Sequence, residues 1–119
     1  MKIISKVFFV LAWFLMLTPT YSQILNGEGL EIVQFNASFN NINRVNWLPS
    51  LSDCSVLPDV DILVSKNLQK KNSIEVVPTI ILFNDGEEVK RFQANIMMAL
   101  ELKLEDVQIV IDETLMEAF

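Results

Sequence analysis

Cys54 is the single cysteine of the 119-residue chain, and the chain has no histidine. One thiol can form a mixed disulfide with a partner or join two copies, but it cannot close an internal disulfide. Asp53 beside it raises the cost of forming the thiolate, and no lysine or arginine adjoins it in sequence. A second reading of Cys54 is a small, part-buried hydrophobe. Without histidine, the usual proton shuttle and the commonest transition-metal ligand are both missing. Serine–histidine catalysis and a zinc site are therefore not expected, and no metal or other cofactor is implied. The other conspicuous polar group is a run of amides, Asn36, Asn40, Asn41 and Asn43. Asparagine bonds readily to nearby main chain and suits caps and turns. The same amides, if exposed, could bond the main chain of an extended peptide. Asn36-Ala37-Ser38 also matches a glycosylation acceptor.

The elements that must position these groups follow from the apolar pattern. Glu31–Phe35 is a short β-branched run and reads as a buried strand. A loop follows, entering a helix near Asn41. From Arg44 on, Val45, Trp47, Leu48 and Leu51 give a helical face, shortened or kinked by Pro49. Val56–Val64 reads as a second strand that starts late because of Pro58. Asn67–Asn72 suits a short helix with Leu68 inward and Lys70-Lys71 solvated. Thr79–Phe83 is a strong strand, Asn84–Glu87 a turn and Glu88–Gln93 an alternating strand, which together make a hairpin. Met98–Phe119 carries apolar residues at helical spacing, including Leu100, Leu104, Val107 and Ile111. Lys90-Arg91 reads as a solvated pair, and Met97-Met98 as packing or as the wall of an apolar groove. Strands separated by helices imply parallel pairing, and the late hairpin adds an antiparallel edge. The expected class is α/β, a mixed sheet with helices on both faces.

The first segment stands apart. Two lysines precede an unbroken apolar run from Val7 to Leu17, and Thr18–Ser22 then ends it in small residues. That order is that of a secretory signal peptide, and the run is too short for the roughly 20 residues of a spanning helix. Cleavage after Ser22 divides the chain into a signal peptide, 1–22, and one domain, 23–119. The expected location is periplasmic or secreted, with retention as an anchor the alternative. Past Ser22, acids outnumber bases and the net charge falls to about −8, so neither nucleic acid nor stable membrane association is expected.

Val76-Val77-Pro78-Thr79-Ile80-Ile81-Leu82-Phe83-Asn84-Asp85-Gly86 resembles the Pro-Thr strand and glycine hairpin of the thioredoxin family. Phe39-Asn40-Asn41-Ile42-Asn43-Arg44 resembles that family's active-site segment, an aromatic residue, then Cys-x-x-Cys, then a basic residue. The resemblance spans about Glu31 to the C-terminus and implies a thioredoxin-like fold. It also implies a cis bond before Pro78 and a loop there that offers its backbone to an extended peptide. Asn40 and Asn43 stand where both cysteines are expected. Gln34 stands where the family has a buried aspartate, Gln93-Ala94 where it has a glycine, and the stretch from Asn43 to Pro78 is a few residues short.

Dithiol chemistry needs a low-pKa thiolate and a resolving thiol, and an asparagine amide supplies neither. The expected role is therefore a redox-inactive module that binds a protein or peptide through Phe39, Asn40, Asn41, Ile42, Asn43, Val77 and Pro78. A redox protein working through Cys54 and a purely structural domain remain the alternatives.

Overall fold

The computed structural model describes residues 24–118, so the expected signal peptide at 1–22 lies outside the described residues. Five strands form one sheet: β1 (Leu30–Asn36), β2 (Ser55–Val56), β3 (Val60–Asp61), β4 (Thr79–Asn84) and β5 (Glu87–Gln93). Two α-helices flank it, α1 (Lys66–Lys71) and α2 (Leu104–Glu117). The order is β2-β1-β4-β5, with β3 pairing β1 on the same side as β2.

Every residue of β1 is buried, and so are the first five of β4. Their alternating side chains serve two cores. Ile32, Ile80 and Leu82 meet Val107 and Ile111 of α2 on one face. Val33, Phe35, Ile81 and Phe83 meet Leu68 of α1, with Ile74 and Val77, on the other. A continuous apolar strand is what a sheet covered on both faces requires. The hairpin closes through Asp85 and Gly86, both at positive φ (50° and 84°), the backbone of a type I′ turn. Val89 is left unpaired between Lys90 and Glu88, which makes a bulge in β5.

Three expectations are corrected. First, no α-helix follows Asn41. Residues Ser38–Asn43 and Leu48–Ser50 form 3-10 turns, with Arg44 extended between them (φ −63°, ψ 134°). Val45, Leu48 and Leu51 are still buried, because a spacing of three also fits a 3-10 turn. Two glutamine amides replace helical hydrogen bonds. Gln34 Nε2 donates to the Val45 carbonyl (2.9 Å) and Gln34 Oε1 accepts from the Val45 amide (2.8 Å). Gln108 makes the same pair with Ser52, at 3.1 and 2.9 Å.

Second, the strand expected over 56–64 is two short pieces around Pro58, which cannot donate to the ladder. Both run parallel to β1, whereas β4 is antiparallel to it, so antiparallel pairing reaches the sheet's centre. A strand buried on both faces carries no sign of its direction. Third, the last helix begins at Leu104 rather than Met98. Asn95 Oδ1 captures the Met97 and Ala99 amides (2.9 and 3.3 Å), and the Lys103 amide donates to Asp106 Oδ2 (3.0 Å). These side-chain bonds stop the helix from extending backwards.

Candidate functional site

The register places Phe35 beside Thr79 and Thr79 beside Gln93, so β1 ends, β4 begins and β5 ends at one rim of the sheet. Three connections meet there: Asn36–Asn43, Val76–Pro78 and Ala94–Ala99. The Val77–Pro78 peptide bond is cis. The Thr79 hydroxyl donates to the Val76 carbonyl (2.6 Å) and pins the bend.

Asn40 is the hub of this rim and is only 3% exposed. Its Nδ2 donates to Met98 O at 3.0 Å and to Asn36 Oδ1 at 3.1 Å, with Val77 O at 3.4 Å. Its Oδ1 accepts from Asn43 Nδ2 at 2.8 Å, and its carbonyl accepts from Asn36 Nδ2 at 3.2 Å. The side chain thus ties the 3-10 turn to β1, to the Val77–Pro78 loop and to the Ala94–Ala99 turn. Asn40 itself sits off helical geometry (φ −109°, ψ 23°), at the kink where two short turns join. Buried amides need partners, and here they have them.

The residues singled out from the sequence therefore divide. Asn36 and Asn40 are buried and face inward, and Asn43 is half-buried and bonds back to Asn40. Asn36 is consumed in this network, which leaves it closed to glycosylation in the folded chain. Val77 is 5% exposed and the Pro78 ring is fully buried. Phe39, Asn41 and Ile42 face solvent, Phe39 at 65% and Ile42 at 91%. Arg44 pairs with Asp59 at the margin.

The Ala94–Ala99 turn is the part that sequence reasoning missed, apart from the methionine pair. Ile96, Met97 and Met98 are exposed at 97%, 75% and 41%. Met98 lies at φ +57°, a backbone that a non-glycine residue adopts at a cost. No residue of Ile32–Asn43, Val76–Asn84 or Phe92–Leu100 carries a charge, and the Arg44–Asp59 pair and Asp61 lie beside Asn36 and Asn41 at one margin.

Cys54 sits elsewhere, half-buried and packed against the α2 side of the sheet. Burial, with the Glu31 carboxylate second, pushes its thiol up from 9.0 to about 11. Glu31 is itself buried and accepts from the Asn26 and Gly27 amides, both at 2.9 Å. The thiol is protonated at neutral pH and is a poor nucleophile there. Among the described residues no cluster of acids and cysteine could hold a metal, and no helix is long and apolar enough to cross a membrane.

The fold recurs in solved thioredoxins. A thioredoxin point mutant from Halobacterium salinarum superposes with a TM-score of 0.60 at 19% identity, covering 76% of this chain and 78% of that one. The fold is thioredoxin-like. Thioredoxin 1 of Thermosipho africanus aligns at 20% identity with a TM-score of 0.53, covering 74% of this chain and 97% of its own. Fasciola hepatica thioredoxin gives 19% and 0.53, covering 73% of this chain and 83% of its own. At these identities the likeness is one of fold. No family model and no curated protein matches the sequence.

Proposed function

We propose that the chain is an exported, non-catalytic thioredoxin-like protein that binds an uncharged apolar segment of a protein or peptide at this rim. The observation that carries this is the pairing of a satisfied interior with an apolar exterior. Both positions of the expected cysteine pair hold amides whose bonds are made inside the fold. Phe39 and Ile42, from the same turn, stand in solvent. The hub anchors that turn on three sides, so the two side chains are presented from a fixed backbone. Presentation in advance lowers the ordering cost of binding. The uncharged segment that carries Phe39 and Ile42 favours an uncharged partner, since a charged group set against it would lose water without gaining a counter-charge there. The lysines and apolar run ahead of Ser22 support export.

The test uses alkylated insulin B chain as an extended, thiol-free probe, followed by fluorescence anisotropy. The wild-type domain binds, and the double change Phe39→Ser with Ile42→Ser weakens binding at least tenfold while the far-UV spectrum is kept. Equal binding by both proteins removes this surface from consideration. Insulin reduction by dithiothreitol, run in parallel, proceeds at the same rate with and without the protein. Acceleration at thioredoxin-like rates would overturn the non-catalytic role.

A further inference from the structure

We infer that Asn26 is a modification site, where the chain converts its own asparagine to aspartate and isoaspartate, and that the buried carboxylate of Glu31 gates the conversion. Asn26-Gly27 is the one place in the chain where glycine follows asparagine. Both residues are exposed. Glycine has no side chain to crowd its main-chain nitrogen, which can therefore close a five-membered ring on the preceding carboxamide.

In that step Gly27 N gives up its proton to solvent and bonds to Asn26 Cγ, and the carboxamide nitrogen leaves as ammonia. Water then opens the succinimide. Cleavage of the bond from Gly27 N to Cγ leaves aspartate. Cleavage of the bond from Gly27 N to the main-chain carbonyl carbon of Asn26 leaves isoaspartate. One water is taken up and one ammonia released, with no oxidant or reductant.

The fold holds the attacking atom back. Gly27 N donates to Glu31 Oε1 and Asn26 N to Glu31 Oε2, both at 2.9 Å. Glu31 is 1% exposed and is fixed in β1, beside Ser55 on one side and Phe83 on the other. A charge-assisted bond must break before Gly27 N can turn to Cγ, and the adjacent negative charge opposes loss of the amide proton. Conversion is thus tied to release of residues 26–27 from β1, a local opening rather than a global one. The isoaspartyl product also bars return to the starting arrangement. Its main chain gains a methylene between the two amides, which then no longer match the two oxygens of one carboxylate.

The test follows the full chain at mildly alkaline pH. Tandem mass spectrometry of the tryptic peptide ending at Arg44 reads the gain of about one mass unit at residue 26 and separates aspartate from isoaspartate. Asn26→Gln lacks the signal. Native wild type converts at least about tenfold more slowly than the same protein in urea, the factor expected of one hydrogen bond to a charged group. Glu31→Gln, with its far-UV spectrum kept, converts at least about fivefold faster than native wild type, because an amide can accept only one of the two N–H groups. Equal or slower conversion by that variant overturns the gate; slower conversion would mean that the carboxylate takes the proton rather than holding it. Amide exchange at Gly27 in wild type needs no variant, and exchange already as fast as in the unfolded chain overturns the gate as well. No gain at Asn26 in urea overturns the site itself.

Discussion

Replacing Asn40 by aspartate exchanges one atom of the hub and reverses its hydrogen-bonding sense. Asn40 Nδ2 faces the acceptors Met98 O and Asn36 Oδ1, at 3.0 and 3.1 Å, with Val77 O behind them at 3.4 Å. A carboxylate oxygen in that place would face three acceptors from a buried position. The proton is therefore retained, and the aspartyl pKa rises. Below the usual carboxyl value of about 3.9, the protonated side chain still donates once and still accepts from Asn43, so the variant loses about 1 kcal/mol, one hydrogen bond. Each pH unit by which the folded-state pKa rises adds a further loss of about 1.36 kcal/mol at neutral pH. The sign follows from proton uptake. The native state holds the proton more tightly, so stability is present below about pH 3.9 and is lost as pH rises toward the raised folded-state value. Urea unfolding followed by Trp47 fluorescence at pH 4 and pH 7 measures it, with wild type subtracted at each pH to cancel the other carboxyls. Asn40→Leu is the control, because its cost has no proton to follow. A deficit for Asn40→Asp that is the same at both pH values, within about 0.5 kcal/mol, would refute the hub as described.

Gln34→Leu leaves the buried amide and carbonyl of Val45 without partners, and the expected cost is about 2–4 kcal/mol in urea unfolding, with a red shift of Trp47 emission as the segment loosens. Gln108→Ala breaks the same kind of pair at exposed Ser52 and costs under about 1 kcal/mol, because water replaces the lost partner. Labelling of Cys54 by dithionitrobenzoate is slow at pH 7.5 and rises about tenfold per pH unit as the thiolate forms. Since the folded thiol pKa of about 11 lies above its ordinary 9.0, Cys54 also makes the domain less stable as pH rises from 9 to 11, and Cys54→Ala flattens that slope in urea titrations.

Much of the sheet was legible because local pattern and tertiary demand agree there. Thr79–Phe83 is apolar at nearly every position since both its faces are covered, and Asp85-Gly86 fits the one hairpin turn its φ values permit. The Val45–Leu51 segment misled for a definite reason. Apolar residues three apart satisfy both an α-helix and a 3-10 turn, and what decides between them is a pair of glutamines, one 11 residues before Val45 and one 56 after Ser52. No local window contains those partners. At the rim, the asparagine cluster was visible but its direction was not. An amide that caps a turn and an amide that greets a peptide are the same residue in sequence, and only burial separates Asn36 and Asn40 from Asn41. The Ala94–Ala99 turn was hidden for a further reason: the Asn40 amide that holds its Met98 carbonyl lies 58 residues away along the chain.

The hub also explains why amides suit the places of Asn40 and Asn43. A reduced dithiol there would offer weak donors to Asn36 Oδ1 and Met98 O and would leave those buried acceptors poorly served. The carboxamide of Asn40 instead donates and accepts at once, and Asn43 completes it from the rim. Gln34 follows the same logic one step inward. Both of its amide atoms are bonded to Val45, so its contribution is to fix the chain that follows the turn rather than to move a proton. Three amides thus give this end of the sheet a set of satisfied, buried hydrogen bonds. One consequence is that adding thiols alone would not create dithiol chemistry here. Asn40→Cys with Asn43→Cys would place the first thiol in a buried position of the rim and remove the bond that holds the Met98 carbonyl. Insulin-reduction assays of that double variant should therefore show little gain over wild type, and robust turnover would mean that the amide network does not exclude the chemistry.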